Sequence, residues 1–498
     1  MSIYLENHKN GLIKWYSWED KTFQKAKEEK KPIFISIGYS TSQWCRVMRE
    51  ESFEDETIAN LLNHNFICIK VDKDERPDID KYYKNVYKLM NGQNCASPIS
   101  IFLTENREPF YTATYISPFP RGNVLGFQEL LEVVIDKYAN DKKTMIEKGQ
   151  EVLEYLNPNS KKIEATRLNI NITETITKHV MQLRDKTNGG FAEEPKFPHT
   201  STVDLLFESY RETKNRDILS TALFTLDKMA KGEIHDKKEG GFYRYSSKKD
   251  WSMPRKEKML YDNANISALY IQAYKATQND FYKDIAFKTI DSIISNNKEE
   301  SLFYSNSLKK DDGTIFIDKK IILSWNAMMI DTLFEASTVD KKYLNIAIEK
   351  LEIALEKFYI DGELYHTEEN KAFLEDYAYF GVALLAGYRV TENEEYLIIS
   401  QTILNRAIEK FYKYGKWKFS DFELTLYDDI YDSIYPSAMS TILLLMEKIS
   451  PIIEADYTQI IFKTLELNSY NLMRQPLSSP KMIKVLLLYL KNDIMRKN

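Results

Sequence analysis

Chemistry in this 498-residue sequence has to come from thiols and carboxylates, because the ready-made cofactor motifs are missing. It holds no GxxxxGK[ST] phosphate loop, no GxGxxG after a strand, no HExxH and no GxSxG. The thiols are Cys45, Cys68 and Cys95. An odd number in so long a chain fits a reducing compartment and no disulfide framework. Cys45 closes the small polar stretch Thr41-Ser42-Gln43-Trp44, while Cys68 sits inside an apolar run and reads as a core filler. The acidic run DKDERPDID from Asp72 to Asp80 lacks the alternating ligands and central glycine of a calcium loop, since Arg76 and Pro77 interrupt it. It reads as a solvated loop entering a helix, and no metal site is expected.

The elements that would position these groups fall into two parts. Apolar residues make up 43% and charged residues 29%, enough for a large core under a solvated surface, and the length favours two domains. In the N-terminal part, PIFISIGY from Pro32, FICIKVD from Phe66, ISIFL from Ile99 and FYTATYI from Phe110 read as strands. Helical patterns lie between them at Cys45–Met48, Glu56–Asn63 and Ile79–Met90, with another from Phe127, so strands alternate with helices and end in an antiparallel pair. Residues 156–169 turn polar and lose periodicity, which marks a linker between domains at 1–155 and 170–498. Beyond it about a dozen segments carry helical spacing, beginning with Ile170–Arg184 and ending with Lys481–Tyr489. Aromatic segments (GGFA, GGFYRY, SLFYSN, GELYHT, GKWKFS) recur at roughly fifty- to sixty-residue intervals, the length of a helix pair plus a hairpin. Paired helices joined this way close into a toroid more readily than into an open solenoid.

A net charge of −6 with interspersed Lys and Glu offers no field for nucleic acid. The start of the chain lacks an apolar signal core, and the longest apolar runs fall short of the ~20 residues of a membrane helix. A soluble, cytoplasmic protein is expected.

The run KPIFISIGYSTSQWCRVMREESFEDETIANLLNHNFICIKVDKDERPDID resembles the thioredoxin-like domain of the spermatogenesis-associated protein 20 family, whose members read STCHWCHVM here. Where the family has the first cysteine of CxxC this sequence has Ser42, and where it has histidines it has Gln43 and Arg46. The resemblance implies a thioredoxin-like site of Ser42, Trp44, Cys45, Cys95 and Pro98 without ordinary dithiol exchange, since a serine hydroxyl forms no mixed disulfide. The family's GGWP is NCASP here, so Cys95 on the proline loop either pairs with Cys45 or both thiols are semi-buried fillers.

The runs GGFAEEPKFPHTSTVDLL, GGFYRYSSKKDWSMPRKEKMLYDNA, KKIILSWNAMMI, FLEDYAYFGVALL and YDDIYDSIYPSAMS are similar to successive C-terminal blocks of the same family, a region related in fold to N-acylglucosamine 2-epimerases and six-hairpin glycosidases. The resemblance implies an all-α (α/α)6 toroid behind an α/β thioredoxin-like domain, with a pocket at the mouth of the inner ring for a polar small molecule of the sugar class and no cofactor. Glu257, Asp262, Asp376 and His199 are the implied acid–base groups. Glu193, Lys196, Arg244, Tyr245, Trp251, Tyr261, Asn263, Trp325, Asn326, Glu375 and Tyr377 are the implied binding residues. The competing reading is that several of these polar groups tie helix ends to hairpins, as buried polar groups require partners. The family's histidine in PHFEKM is Arg255 here, which disfavours a two-histidine epimerase mechanism. Three functions stay open: an enzyme of isomerase or hydrolase type, a thiol-based redox protein using Cys45 with or without Cys95, and a non-catalytic scaffold with a protein partner at the thioredoxin-like face.

Overall fold

A computed structural model describes residues 2–156, 165, 168, 170–191, 193–296, 301–422, 424 and 426–497. Two compact units divide the chain, Met1–Lys162 and Ile163–Asn498. The connection expected at 156–169 lies almost entirely outside the described residues.

The first unit is built on five strands: β1 (Trp15–Tyr16), β2 (Ile33–Gly38), β3 (Ile67–Asp72), β4 (Ile99–Leu103) and β5 (Pro109–Ala113). They lie in the order β1-β3-β2-β4-β5. β2 and β3 run parallel from Ile33↔Ile67 to Gly38↔Asp72, and β4 pairs antiparallel to both β2 and β5. Every residue of β2, β3 and β4 is buried, which is why these strands read as continuous apolar runs, whereas β5 at the edge alternates. Seven helices accompany the sheet: α1 (Ile3–Lys9), α2 (Asp20–Glu29), α3 (Gln43–Met48), α4 (Glu56–Asn65), α5 (Pro77–Asn91), α6 (Phe127–Asn140) and α7 (Lys142–Leu156). The core on one sheet face gathers Phe34, Phe53, Leu62, Phe102 and Phe127, with the Phe34 ring 4.9 Å from Phe102 and 5.7 Å from Phe127. Burying each such ring contributes about 1.5–3 kcal/mol.

The second unit has twelve described helices, α8 (Ile170–Gln182), α9 (Thr200–Thr213), α10 (Arg216–Lys231), α11 (Leu260–Thr277), α12 (Asp280–Asn296), α13 (Leu323–Ser337), α14 (Lys342–Phe358), α15 (Leu374–Thr391), α16 (Glu394–Phe411), α17 (Ala438–Ile453), α18 (Thr458–Arg474) and α19 (Pro480–Lys497). Helices α9, α11, α13, α15, α17 and α19 contact their neighbours in turn, and α19 meets α9 to close an inner ring. The others pack outside it. The inner α13 is buried around most of its circumference, while the outer α10 buries one stripe including Ile218, Ala222, Leu226 and Met229. This is the (α/α)6 toroid. No helix among the described residues is long and apolar enough to cross a membrane.

Short strands join outer helices to inner ones: β6 (Tyr245–Ser246) with β7 (Pro254–Arg255); β8 (Glu257–Met259), β9 (Asn306–Lys309) and β10 (Ile315–Asp318) in one sheet; β11 (Tyr359–Ile360) with β12 (Glu363–Leu364); and β13 (Tyr412–Lys413), β14 (Lys416–Ser420) and β15 (Leu426–Tyr427) in another. The GGFYRY segment needs its glycines: Gly240 and Gly241 both have φ of 83°, and a Cβ on Gly240 would lie 2.6 Å from the Lys288 carbonyl. Helix α11 begins at Leu260, with the polar Asp262 and Asn263 in its first turn.

Candidate functional site

Each inner helix from α11 to α17 follows a hairpin, so their first turns arrive at one end of the ring. Side-chain contacts join those turns. The Tyr261 ring of α11 meets Trp325 of α13 edge-on at 4.7 Å. From α13, the Ser324 amide donates to Asp376 Oδ1 at 3.1 Å and its hydroxyl donates to Glu375 Oε1 at 3.2 Å, both on α15. Tyr435, in the stretch before α17, lies 5.0 Å from the Tyr261 ring and donates its hydroxyl to Glu375 Oε2 at 2.9 Å. Asp432 accepts from the amides of Ser437 at 2.8 Å and Lys481 at 2.7 Å, tying the starts of α17 and α19. The mouth of the ring is therefore a connected aromatic and acidic cluster.

Three carboxylates there hold protons unusually well, and burial pushes one of them, Asp432, up to about 7 against its hydrogen bonds from the Lys481 and Ser437 amides. Asp262 is 8% exposed and its Oδ2 makes no hydrogen bond. Burial pushes its pKa up to about 8, the Arg244 charge opposing and the Glu257 carboxylate reinforcing the shift. Glu375 is raised by burial and by the adjacent Asp376 charge, against the opposing effects of His366, Tyr435 and Ser324. Helix N-termini favour anions by about 0.3–1 kcal/mol. One pKa unit corresponds to about 1.4 kcal/mol, so desolvation outweighs the helix ends here.

Asp376 has another role. Its Oδ2 accepts from the Phe373 amide at 2.8 Å, capping α15, and His366 Nδ1 lies 2.9 and 3.0 Å from its two oxygens. His366 and Asp376 are fully buried. Ligand atoms of His366, Glu375 and Asp376 lie within 4.8 Å of one another. Every oxygen of the two carboxylates already accepts a hydrogen bond, an arrangement suited to sharing protons.

The other sequence-derived residues divide by where their polar atoms go. Asn263 accepts from the Phe242 amide at 2.6 Å and donates to the Phe242 and Met259 carbonyls; Asn326 does the same to Phe303 and Ile322. These are repeated clamps between an inner helix and its hairpin. Lys196 is fully buried and pairs with Asp185 at 2.6 Å, while Trp251 donates to the Asn188 carbonyl and Tyr245 stacks on Phe197 at 4.8 Å. Those contacts stay within residues 185–251. Arg244 pairs with Glu257 at 3.2 Å, close enough to Asp262 for both to act on its pKa. The Tyr377 hydroxyl accepts from Lys410 at 3.3 Å, turned toward α16. Glu193 is exposed. His199 takes a φ of 47° before α9, and burial followed by the Lys196 charge lowers its pKa, keeping the ring neutral. Asp376 thus caps α15, and the neighbouring Glu375 is the one whose pKa burial raises. Tyr435, His366, Ser324 and Asp432 were not among the expected site residues. The aromatic–acidic alternation of YDDIYDSIYPSAMS was the available signal for two of them.

In the first unit the turn from β2 to α3 carries Ser42, Trp44 and Cys45, the residues expected from the sequence to form a thioredoxin-like site. Ser42 caps α3, its hydroxyl accepting from the Cys45 amide at 3.3 Å. Cys45 is 4% exposed, and burial raises its thiol pKa despite nearby Ser42, Tyr39 and Lys70. Gly38 leaves the space for it: a Cβ there would lie 2.5 Å from the sulfur. Cys95 is half-buried, its thiol pushed up to about 11 by burial with Lys84 opposing. Both are free thiols with different neighbours. Trp44 is 48% exposed against the Tyr115 ring at 5.1 Å, and the Ser97–Pro98 peptide is cis. Behind the turn, Lys70 is buried, donates to Ser36 at 3.0 Å, and sits 4.5–5.0 Å from the Phe53, Trp15 and Tyr4 rings; burial lowers its pKa to about 7.

Residues 1–157 match the Thioredox_DsbH family model, described as a protein of unknown function, DUF255. Mouse spermatogenesis-associated protein 20 is 39% identical over 295 residues, 57% of this chain and 37% of the mouse protein. Its human counterpart is 37% identical over 293 residues, again 57% of this chain and 37% of that protein. The aligned part is thus little more than a third of those relatives' length. Among solved structures, a sugar epimerase from a ruminal bacterium superposes with a TM-score of 0.52 at 11% identity, over 65% of this chain and 99% of that one. Cellobiose 2-epimerase from Bacillus thermoamylovorans gives 0.52 at 12% identity, over 65% and 98%. At such identities the likeness is one of fold. The chain is similar to spermatogenesis-associated protein 20 over the aligned part, and it combines a thioredoxin-like N-terminal region with a toroid of the fold seen in sugar 2-epimerases.

Proposed function

We propose that the mouth of the ring is a binding pocket for a polar, carbohydrate-like small molecule, and that proton transfer of isomerase or hydrolase type is the chemistry its groups suit. The observation that carries this reading is the joined cluster of Glu375, Tyr435, Tyr261 and Trp325, with Glu375 raised in pKa and the buried Asp262 next to Tyr261 in the first turn of α11. Aromatic faces suit the C–H surfaces of a sugar ring, and carboxylates suit its hydroxyls. Asp262, protonated at neutrality, is the candidate proton donor. Glu375, already held by Tyr435 and Ser324, is the candidate acceptor. The fold shared with a sugar epimerase and a cellobiose 2-epimerase agrees with this ligand class.

In the same reading the thioredoxin-like unit carries out no dithiol–disulfide exchange. Ser42 serves as a helix cap, and Cys45 is a buried thiol with a raised pKa, the opposite of an activated nucleophile. A non-catalytic binding role is the second reading. It is favoured by Asn263, Asn326, Lys196 and Asp376, whose polar atoms are committed to internal partners.

Thermal denaturation of the full chain across neutral mono- and disaccharides and sugar phosphates tests the proposal. A ligand at a hundred times its Kd should stabilise by about 2.7 kcal/mol. The proposal expects at least one dose-dependent rise in Tm that Glu375→Gln removes. A panel without any rise would sink it. A rise that Glu375→Gln leaves intact would move the site elsewhere.

A further inference from the structure

A groove of about 660 Å³ runs beside β5 in the first unit, between that strand, α6, α7 and the 117–125 loop. It is apart from the toroid chemistry above. Its walls concentrate exposed apolar surface: Phe119 is 73% exposed, Val124 69%, Leu125 45% and Val133 40%. Exposed side chains of this size cost hydration free energy, and when clustered they mark interaction surfaces. The loop presenting them is held in shape. Arg121 and Val124 pair across it by two backbone hydrogen bonds of 3.0 and 3.1 Å. The patch continues toward the β2–α3 turn, because Tyr115 lines the groove and carries the exposed Trp44 against its ring.

Charge around the groove departs from the acidic balance of the chain. Arg121, Lys137 and Lys148 line it, with Asp141 as the one carboxylate among the lining residues. None of the three cations forms a salt bridge among the described residues; Arg121 instead lies over the Tyr115 ring at 5.8 Å. Apolar anchors inside a rim of uncompensated cations complement a segment that carries apolar side chains flanked by acidic ones.

We propose that this groove is the docking site for a partner-protein segment in which aromatic or leucine side chains are flanked by Asp or Glu. The apolar anchors supply most of the affinity, since exposed ion pairs contribute only about 0.2–1 kcal/mol each. The cations set selectivity and association rate.

The test uses the full chain and a display library of random twelve-residue peptides as the probe. Selected peptides should be enriched in Phe, Trp or Leu next to Asp or Glu. Their affinity should fall at least tenfold on Phe119→Glu or Val124→Glu, both solvent-facing changes whose folding is checked by an unchanged Tm. The double variant Arg121→Glu/Lys137→Glu should turn selection toward peptides flanked by Lys or Arg. Three results would overturn the proposal. The first is peptides without acidic enrichment, or with equal affinity for the Phe119 and Val124 variants. The second is a dimer of the wild-type chain that Val124→Glu dissolves, which would make a second copy the occupant. The third is dodecanoate excluding the peptides from the groove, which would make it a site for small amphiphiles.

Discussion

Replacing Asp262 by Asn should flatten the pH dependence of the toroid's stability. The Asp262 carboxyl has a pKa of about 8 in the folded protein, raised chiefly by burial, against about 3.9 in an unfolded chain. Between those values the folded state keeps a proton that the unfolded state has lost. Stability therefore falls as pH rises across this window, by about 1.4 kcal/mol per pH unit. The contribution is fully present below pH ~4 and lost above pH ~8. From pH 5 to pH 8 the wild type should lose roughly 4 kcal/mol through this group alone. Asn keeps the shape of the protonated acid and does not titrate. It also adds an amide beside an environment where Oδ2 has no partner, at a pH-independent cost of about 1–3 kcal/mol. The informative quantity is thus how the Tm difference between variant and wild type changes with pH, followed by differential scanning fluorimetry at pH 5, 6, 7 and 8. The variant should gain steadily on the wild type as pH rises. Parallel curves would show that Asp262 is ionised in the folded protein, and the acid assigned to the mouth of the ring would be lost.

Lys70→Met should act in the opposite sense on the first unit. Because the folded pKa of Lys70 is lowered to about 7 while an unfolded lysine titrates near 10.4, wild-type stability should rise from pH 7 to pH 9 by about 1.4 kcal/mol per unit relative to the variant, read by the same melting series. A constant difference would mean that the aromatic surroundings hold Lys70 charged. Asn326→Ala removes the clamp on Phe303 and Ile322, leaving a buried amide and carbonyls unpaired, and should cost about 2–4 kcal/mol in urea unfolding; a loss under 1 kcal/mol would deny the clamp its structural role. Alkylation of the native chain at pH 8, mapped by mass spectrometry, should label Cys95 ahead of the buried Cys45 and Cys68; rapid labelling of Cys45 would reopen its use as a nucleophile.

Much of the architecture is legible in the sequence. The twelve helical segments beyond residue 170 correspond to α8–α19, and the strands from Ile33 and Ile67 read as apolar runs because both faces of that sheet are covered. What spacing cannot supply is direction. Leu374-Glu375-Asp376-Tyr377 marks a helix start in the sequence, yet only the closed ring shows Glu375 meeting Tyr435, Asp376 turned back to cap α15, and Tyr377 turned toward α16. Asn263 and Asn326 sit in equivalent first turns and look like ligand-binding amides until the hairpin backbones they hold are in place. Tyr435 and Asp432 lie in a stretch without periodicity, so no pattern of apolar spacing points to them, although their contacts span three inner helices.

A sugar pocket at the mouth of the ring requires Asp262 and Glu375 to form one ligand site. Calorimetric titration with the sugar that most raises the Tm, carried out on the wild type, Asp262→Asn, Glu375→Gln and Tyr435→Phe, tests this most directly. If that site exists, Glu375→Gln and Tyr435→Phe should each weaken binding at least tenfold, and Asp262→Asn, which mimics the protonated acid, should preserve it. Undiminished affinity in Glu375→Gln and Tyr435→Phe would contradict that site.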